Sequence, residues 1–151
     1  MKQTKVFLDS SVIIAGLASK KGGSYEVLAL AELKIIVPCI SKEVVNEVFR
    51  NVQKKLPVST AHFYTLFKKL PFKIIDTANE DFARAKKIIN EKDAPILAAA
   101  MSGKVDWLLS LDKHFLEKGL EEKARFQLGT PGDFLQKLPD SIRTLSTSVA
   151  R

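Results

Sequence analysis

Short apolar runs alternate along the chain with longer stretches in which apolar residues recur at helical spacing. The runs of strand length lie at residues 5–8, 35–37, 72–75, 107–111 and 126–128. Strands that are apolar on both faces and are separated by helices indicate a parallel sheet that helices cover on both sides. The pattern therefore predicts an α/β fold.

Capping and breaking residues predict where several of these elements begin and end. Ser41 suits the N-cap of a helix whose apolar face extends to Val52. Pro38 is expected to stop the second strand, because proline lacks the N–H that a strand interior donates. Asp93 precedes a further helix in which Pro95 occupies the first turn, where proline is tolerated. Helix starts are thus expected shortly after strand ends.

Length and composition predict one globular domain followed by a short tail. At 151 residues the chain has the size of a single domain, and 46% hydrophobic with 27% charged residues is typical of a soluble protein. After Pro139 the sequence is rich in serine and threonine and loses its apolar periodicity. We therefore assign residues 1–138 to the domain and expect residues 139–151 to be a flexible C-terminal tail.

The cysteine content and the N-terminal sequence both indicate a cytoplasmic protein. Cys39 is the only cysteine, which excludes an intrachain disulfide and a cysteine-based zinc site and fits a reducing compartment. We expect it to be a small buried apolar residue. Asp9 divides the apolar N-terminal stretch, so we predict neither a signal peptide nor a membrane-spanning helix.

Basic residues outnumber acidic ones and give a net charge of +7 and a pI near 9.5. This excess favours a polyanionic partner, because lysine and arginine neutralise phosphates and release counterions. Lysine pairs are spread along the chain at residues 20–21, 54–55, 68–69 and 86–87. Such pairs are also common on solvated helix faces, so they do not by themselves identify nucleic acid as the partner.

Four acidic residues lie where the predicted elements would bring a site together. Asp9 and Asp112 directly follow the first and fourth predicted strands, and parallel sheets bind ligands at the carboxyl ends of their strands. Glu47 lies between apolar residues of its helix, and Asp93 opens an alanine-rich helix that can pack closely. Each aspartate alone could equally be a helix cap.

A cluster of carboxylates indicates a hard divalent cation as its ligand. Mg²⁺ prefers oxygen ligands, and four carboxylates brought together without a cation would repel one another strongly. One or two bound ions could activate water for attack on phosphorus and stabilise the leaving oxygen. Together with the positive charge elsewhere on the chain, the acids predict hydrolysis of phosphodiester bonds.

The segments around these acids resemble the four ordered acidic motifs of PIN-domain nucleases. They are residues 6–14, 41–48, 92–100 and 107–115. Residues 129–135 also look like the closing segment of the prokaryotic toxin-type (VapC-like) branch, so the resemblance extends from about residue 4 to residue 138. A single motif is short, but four in the right order are specific.

The resemblance implies a three-layer α/β/α sandwich with a central parallel sheet of four to five strands. It also implies an endoribonuclease that uses Mg²⁺ or Mn²⁺, often as the toxin of a toxin–antitoxin pair. RNA would be the substrate, an antitoxin protein a possible partner, and a homodimer the oligomeric state. The catalytic and metal-binding positions carried onto this sequence are Asp9, Glu47, Asp93 and Asp112. Ser11 and Ser110 match small polar positions, where a serine would either cap a helix or hydrogen-bond a metal ligand.

His114 stands where some members of that family carry a further acid, two residues after the last motif aspartate. This departure leaves the number of metal ions open between one and two. We interpret His114 as a lone surface histidine, with assistance to a phosphate or a proton as the alternative. Asp106, at the opposite end of the fourth strand from Asp112, is interpreted as a turn residue.

Two other classes of protein fit parts of this pattern. A phosphoacceptor receiver-type domain also gathers acids around Mg²⁺, but it would need a phosphorylatable aspartate after the third strand and a lysine after the fifth. The third strand here leads to Asp76 and the fifth to Thr130. A non-catalytic RNA- or protein-binding module would keep the fold without hydrolysis. The presence of all four acids favours the nuclease.

Overall fold

Strands and helices alternate along the chain, as the apolar pattern predicts. The computed structural model describes residues 3–55 and 57–148. The strands are β1 (Thr4–Leu8), β2 (Ile36–Ile40), β3 (Lys73–Ile74), β4 (Trp107–Leu109) and β5 (Gln127–Gly129). The helices are α1 (Ser10–Ala18), α2 (Gly23–Glu32), α3 (Lys42–Lys55), α4 (Thr60–Lys68), α5 (Asn79–Ile88), α6 (Ala94–Ser102), α7 (Leu120–Ala124), α8 (Pro131–Gln136) and α9 (Asp140–Arg143). Within the described ranges, no helix combines the length and apolar content needed to cross a membrane.

The five strands form one parallel sheet in the order β3-β2-β1-β4-β5. β1 is central, and its Val6 lies opposite Pro38 of β2 on one side and Trp107 of β4 on the other. From β1 the chain adds β2 and β3 on one side before it crosses back to place β4 and β5 on the other. The strand order therefore reverses between β1 and β4, and parallel sheets bind ligands at the carboxyl ends of strands at such a point.

Helices cover the sheet in two groups, which makes the fold a three-layer α/β/α sandwich as expected. α1 packs against α2 and α3, and α2 also contacts α8, whereas α5 packs against α6 and α7. The close approach of α1 and α2 depends on Gly16. A Cβ atom there would lie 2.5 Å from Cδ1 of Leu28 and 2.9 Å from the carbonyl oxygen of Ser24. A larger residue at position 16 would push the two helices apart.

The core contains the residues that the continuous apolar runs predicted. Residues 6–8 of β1 and 108–109 of β4 are fully buried. Residues 97–100 of α6 are also fully buried, because their alanines let the helix pack closely. Cys39 is a buried free cysteine, as predicted. Since β1, β4 and α6 are packed in the core, the residues at their ends are held in place with them.

Pro38 does not stop β2, which continues to Ile40, so that prediction was wrong. The Ile40 carbonyl accepts a hydrogen bond from the N–H of Ile75 on the β3 side, and backbone groups two residues apart in a strand point to the same side. Pro38 therefore turns its missing N–H toward β3, which pairs only with Cys39 and Ile40. The strand tolerates proline because β3 begins opposite the next residue, Cys39, and has no N–H acceptor to offer at Pro38.

The C-terminal residues up to Ser148 fold back toward α2. α9 leads into a 3₁₀ turn at Thr144–Ser148 that contacts α2, and Nε of Arg143 lies 3.2 Å from Oε2 of Glu26. The sequence did not predict these turns, because they are too short to show a helical period. The flexibility expected for residues 139–151 stays a prediction, and residues 149–151 lie outside the described ranges.

Candidate functional site

Asp9 is held at the carboxyl end of β1 by hydrogen bonds to both of its carboxylate oxygens. Its Oδ1 accepts from the N–H of Ser10 at 2.9 Å and thereby caps α1. Its Oδ2 accepts from Oγ of Ser110 at 2.7 Å and from Oγ of Ser11 at 3.3 Å. The side chain is buried, with 6% of the residue exposed. The helix-cap interpretation of Asp9 is thus correct for one oxygen, while the other faces the end of β4.

The two serines join the ends of β1 and β4. Besides its bond to Asp9, Oγ of Ser110 accepts from the N–H of Asp112 at 2.9 Å. Oγ of Ser11 accepts from the N–H of Leu111 at 3.1 Å. These bonds fix the loop after β4 relative to the first turn of α1. They also orient the Asp9 carboxylate, which is what a hydrogen-bond partner of a metal ligand does.

The Asp9 carboxyl group is in an unfavourable place for a negative charge. Burial raises its pKa above the usual aspartate range, because removal from water penalises the charged form. Hydrogen bonds from the two serine hydroxyls and from the N–H of Ser10 lower the pKa, and the nearby charge of Glu47 raises it again. A cation beside Asp9 would offset both effects that raise the pKa.

Asp93 occupies the N-cap position of α6 but does not cap that helix with its side chain. Oδ2 instead accepts from Nδ2 of Asn90 at 2.6 Å, while Oδ1 of Asn90 accepts from the N–H of Asp93 at 3.0 Å. The residue is 8% exposed. The cap interpretation therefore fails for Asp93, and its buried carboxylate is directed toward the other acids by Asn90.

Asp112 and His114 complete a cluster with Asp93. Oδ1 of Asp112 accepts from the N–H of His114 at 2.9 Å. Nδ1 of His114 lies 3.1 Å from Oδ2 of Asp93 and 3.5 Å from Oδ1 of Asp112. Each of the three residues offers a ligand atom, and these atoms lie within 4.8 Å of one another. Among the described residues, this is the one group of three or more acidic, histidine or cysteine ligands with such spacing.

Glu47 lies beside this cluster rather than within it. Ser41 begins α3 as predicted, since its Oγ accepts from the N–H of Val44 at 3.4 Å. Glu47 lies nearly two turns after Ser41 and is half-buried. Its charge is near enough to Asp9 to raise the pKa of that carboxyl group. The structure thus brings Asp93 and Asp112 into one group, with Asp9 and Glu47 adjacent.

The sequence interpretation misjudged His114 and overlooked Asn90, which binds Asp93. His114 is not a lone surface histidine, because its ring contacts both Asp93 and Asp112 although 47% of its side chain is exposed. Its position two residues after Asp112, where some family members carry a further acid, was a sequence signal for a place in the site. Asn90 was not considered, and its spacing of three residues before a helix-opening aspartate is the only sequence signal for it.

Two further aspartates lie outside the cluster. Asp106 accepts a hydrogen bond from the N–H of Lys5 at the opposite end of β4, which agrees with its interpretation as a turn residue. Asp76 follows β3 and is exposed. A phosphoacceptor would require its acids to gather around that position. Within the described residues the acids gather at the ends of β1 and β4 instead.

The donor atoms of the cluster fit a divalent cation. Asp93 and Asp112 offer the carboxylate oxygens that Mg²⁺ and Mn²⁺ prefer. The imidazole nitrogen of His114 is a softer donor, which transition metals accept better than Mg²⁺ does. Asp93 and Asp9 are both buried, so a cation beside them would balance the charge of their carboxylates.

Comparisons with known proteins agree with this geometry. A sequence model of the PIN domain matches residues 5–114, which include all four predicted acids and His114. No curated protein matches the chain in sequence.

Solved structures with the same fold include three prokaryotic proteins. A chain of VapBC2 from Rickettsia felis, crystallised with a DNA fragment of the promoter, has a TM-score of 0.62 at 17% identity, covering 83% of this chain and 97% of its own. PAE2754 from Pyrobaculum aerophilum has a TM-score of 0.61 at 13% identity, covering 88% of each chain. VapC20 from Mycobacterium tuberculosis, described as a toxin that cleaves the sarcin-ricin loop, has a TM-score of 0.55 at 13% identity, covering 76% and 95%. The fold is therefore that of VapC-type proteins, and the match over residues 5–114 shows that the chain belongs to the PIN domain family of nucleases.

Proposed function

We propose that this protein is a metal-dependent endoribonuclease that hydrolyses RNA phosphodiester bonds and acts as the toxin of a toxin–antitoxin pair. The observation that carries the proposal is the convergence of Asp93, Asp112 and His114 within 4.8 Å beside the buried Asp9. Carboxylates so arranged repel one another unless a cation lies between them. A structural role would not require them to meet.

Asp93 and Asp112 are the residues that would hold Mg²⁺ or Mn²⁺, with Asp9 and Glu47 as the adjoining acids. Such an ion, when bound, supplies positive charge to the scissile phosphate and activates water. Ser110 and Asn90 act as positioning residues, because their hydrogen bonds orient the carboxylates of Asp9 and Asp93. These bonds prevent the side chains from turning away from one another when no ion is bound.

The position of His114 allows it either to bind a phosphate or to transfer a proton. Its Nδ1 faces Asp93, and nearly half of the side chain is exposed at the mouth of the site. A protonated ring there would donate a hydrogen bond to a phosphate oxygen, and a neutral ring would accept a proton from water. Because nearly half of its side chain is exposed beside the acids, we assign phosphate binding to His114.

RNA as substrate and an antitoxin as partner are supported by the fold and the charge. VapC20 is described as a toxin that cleaves the sarcin-ricin loop, and the VapC-like branch that this sequence resembles is often the toxin of a toxin–antitoxin pair. The net charge of +7 supplies the phosphate affinity that an RNA substrate requires. We propose the same substrate class and kind of partner here, with a homodimer in the cytoplasm as the working form.

A cleavage assay tests the proposal. Wild type is incubated with end-labelled RNA and DNA oligonucleotides in Mg²⁺, in Mn²⁺ and in excess EDTA. We expect cleavage of RNA only with added metal. Asp93→Asn removes a metal-binding charge while keeping the size of the side chain, and it should abolish cleavage. Glu122→Gln, which changes an exposed acid of α7, is the matched control and should cleave like wild type.

Three results would contradict the proposal. Cleavage that persists in EDTA would exclude metal dependence, and cleavage that persists in Asp93→Asn would exclude the assigned site. RNA binding without cleavage under any metal would favour the non-catalytic binding module. Circular dichroism and thermal melting of both variants show whether a loss of activity reflects unfolding instead.

A further inference from the structure

A cavity of about 360 Å³ opens on the same edge of the sheet as the candidate metal site. Its walls come from the chain after β3, from the start of α3, and from α5 and α6. The volume lies within the range of small-molecule binding sites in proteins, roughly 300–1,000 Å³. A single nucleobase is a ligand of suitable size for it.

The cavity adjoins the candidate site through two helices. Pro95 lines the cavity and lies two residues after Asp93 in the first turn of α6. Glu43 also lines it and lies four residues before Glu47, which places both on one face of α3. In the sheet, β3 is two strands from β1, a separation of about 10 Å. A nucleotide next to the scissile phosphate could therefore place its base in the cavity.

The inner wall of the cavity is apolar. It is formed by Ile75, Phe82 and Pro95. Phe82 is a large residue that leaves 36% of its surface exposed, and Nζ of Lys86 lies 5.1 Å from its ring centroid. RNA-binding proteins stack unpaired bases on exposed aromatic rings of this kind. The wall therefore offers a stacking surface next to a positive charge.

The rim of the cavity is polar and lacks internal partners. It carries the carboxylates of Glu43 and Asp76 and the ammonium of Lys42. Within residues 3–55 and 57–148, neither carboxylate takes part in a hydrogen bond or ion pair. By contrast, Asp81 of α5 is bound by both Arg84 and Ser102. The rim thus presents two carboxylate acceptors and the ammonium donor of Lys42 to a ligand.

We infer that this cavity binds a guanine base of the RNA, at a nucleotide next to the cleaved bond. The inference rests on the proposed function, which supplies the RNA. Guanine places two neighbouring donors, N1–H and the N2 amino group, beside the acceptor O6. A carboxylate from Glu43 or Asp76 accepts from both donors, and Lys42 donates to O6 or N7. Adenine and cytosine each present one amino donor next to an acceptor, and uracil presents one N–H between two acceptors. None of the three can therefore donate two neighbouring hydrogen bonds to one carboxylate.

RNA substrates that differ in one base, or in one amino group of that base, test this recognition. RNA oligonucleotides carry guanosine, inosine, adenosine, cytidine or uridine at each position around the cut, and kcat/KM is measured for each. Inosine lacks only the N2 amino group of guanosine. We expect wild type to cleave one guanosine-containing substrate about tenfold faster than its inosine counterpart, the effect of losing one hydrogen bond to a charged group.

Variants of the rim connect that preference to the cavity. Glu43→Gln or Asp76→Asn should reduce the guanosine-to-inosine ratio toward one, because the carboxylate that accepts from the N2 amino group is removed. Phe82→Ala should slow cleavage of every substrate that fills the cavity. Glu80→Gln, which changes an exposed acid of α5 outside the cavity, should leave the ratio unchanged.

A binding measurement independent of cleavage separates this inference from the proposed function. In EDTA, NMR titrations compare GMP, IMP and AMP, which share the phosphate and differ in the base. We expect GMP to shift the amide signals of residues around Ile75 and Phe82 most strongly, and Asp76→Asn to weaken that binding.

The outcomes distinguish the base-binding inference from the proposed nuclease function. Equal cleavage of guanosine and inosine substrates, or a ratio that Glu43→Gln and Asp76→Asn both leave unchanged, would overturn the inference while the nuclease stands. GMP-selective binding without cleavage of any RNA would overturn the proposed function but support the cavity. Neither cleavage nor selective binding would overturn both.

Discussion

Strand β4 has an aspartate near each end, and the two aspartates have different kinds of partner. Asp106, at the amino end, accepts a hydrogen bond of 2.8 Å from the N–H of Lys5. Asp112, beyond the carboxyl end, meets Asp93 and His114. The acid at the amino end is satisfied by the protein alone. The acids at the carboxyl end face one another, and this arrangement is stable only if something positive lies between them.

Three basic residues lie at the amino edge of the sheet. Lys34, Lys104 and Arg125 have φ angles of 62°, 50° and 67°, and each lies between a helix and the strand that follows it. A left-handed residue commonly ends a helix, and a cation there is favoured by the helix dipole. These three charges therefore lie at the amino edge, away from the candidate site. The comparison teaches that the net charge of +7 does not locate the site, whereas the meeting of several acids does.

Neutralising one acid at each end should give the largest difference. Asp9→Asn keeps the shape of a buried side chain but removes a charge next to the proposed cation, and we expect RNA cleavage to fall by about 10³-fold. Asp106→Asn makes the same chemical change at the amino end and should leave cleavage unchanged. Single-turnover cleavage in saturating Mg²⁺ measures both.

Equal losses in the two variants would break the comparison between the ends of the sheet. They would mean that activity responds to general destabilisation or to total charge rather than to the carboxyl-end cluster. Thermal melting of each variant in the assay buffer checks the first of these explanations.

Removing a positioning residue should have a smaller effect that differs in kind. Asn90→Ala deletes the 2.6 Å hydrogen bond to Asp93 without changing any charge, so the carboxylate gains freedom to turn. We expect the Mg²⁺ concentration needed for half-maximal cleavage to rise by about 10- to 100-fold, with the rate at saturating metal preserved. A metal titration of the cleavage rate measures this shift.

Asn46→Ala, which changes an exposed asparagine of α3, is the matched control and should leave the metal titration unchanged. If Asn90→Ala lowers the rate at saturating metal but leaves the titration midpoint in place, Asn90 does not act through metal binding. The assignment of Asp93 as a ligand would then lose its main support from the hydrogen-bond pattern.

At the amino end, the corresponding loss should appear in stability instead of activity. Asp106→Ala removes the acceptor of the Lys5 N–H and should lower the free energy of unfolding by about 1 kcal/mol. Urea unfolding followed by tryptophan fluorescence measures this change, since Trp107 is the neighbouring residue. An unchanged unfolding midpoint would show that water replaces the carboxylate at that position.

Most of the fold could be predicted from the sequence because it follows from the spacing of apolar residues and from capping and breaking residues. Continuous apolar runs gave β1 and β4, and Ser41 gave the start of α3. Pro38 misled the interpretation, because its tolerance depends on how short β3 is, and that length is set by pairing between strands. Strand pairing between distant segments has no local signal.

The candidate site was predictable to the extent that its residues follow strands or open helices. Asp9, Asp93 and Asp112 have such positions, and the structure brings the ends of their elements together. For Ser110 the sequence analysis left a helix cap and a hydrogen bond to a metal ligand open, and the bond to Asp9 agrees with the second. Asn90 could not be assigned its contact, because that bond depends on a side-chain direction that the sequence does not contain. His114 was misinterpreted because we took an exposed histidine to lie outside the site. Its side chain is 47% exposed and still contacts Asp93 and Asp112.

The smallest expected effect is a pH dependence of stability that belongs to Asp9. Burial raises the pKa of its carboxyl group in the folded protein, while the unfolded chain keeps the ordinary value of about 4. Between these two values the folded state holds the proton and the unfolded state does not, so stability falls as the pH rises through that window. Asp9→Asn carries no proton at this position and should lack this contribution to the slope.

The measurement compares melting temperatures of wild type and Asp9→Asn in EDTA from about pH 4 to about pH 7. The wild type should lose stability relative to the variant as the pH rises, and added Mg²⁺ should reverse the loss, because an ion beside the carboxylate favours its charged form. A constant difference across the range would show that the serine hydrogen bonds already offset the cost of burying the charge. The carboxyl end would then resemble the amino end, since its acid would be satisfied without a cation.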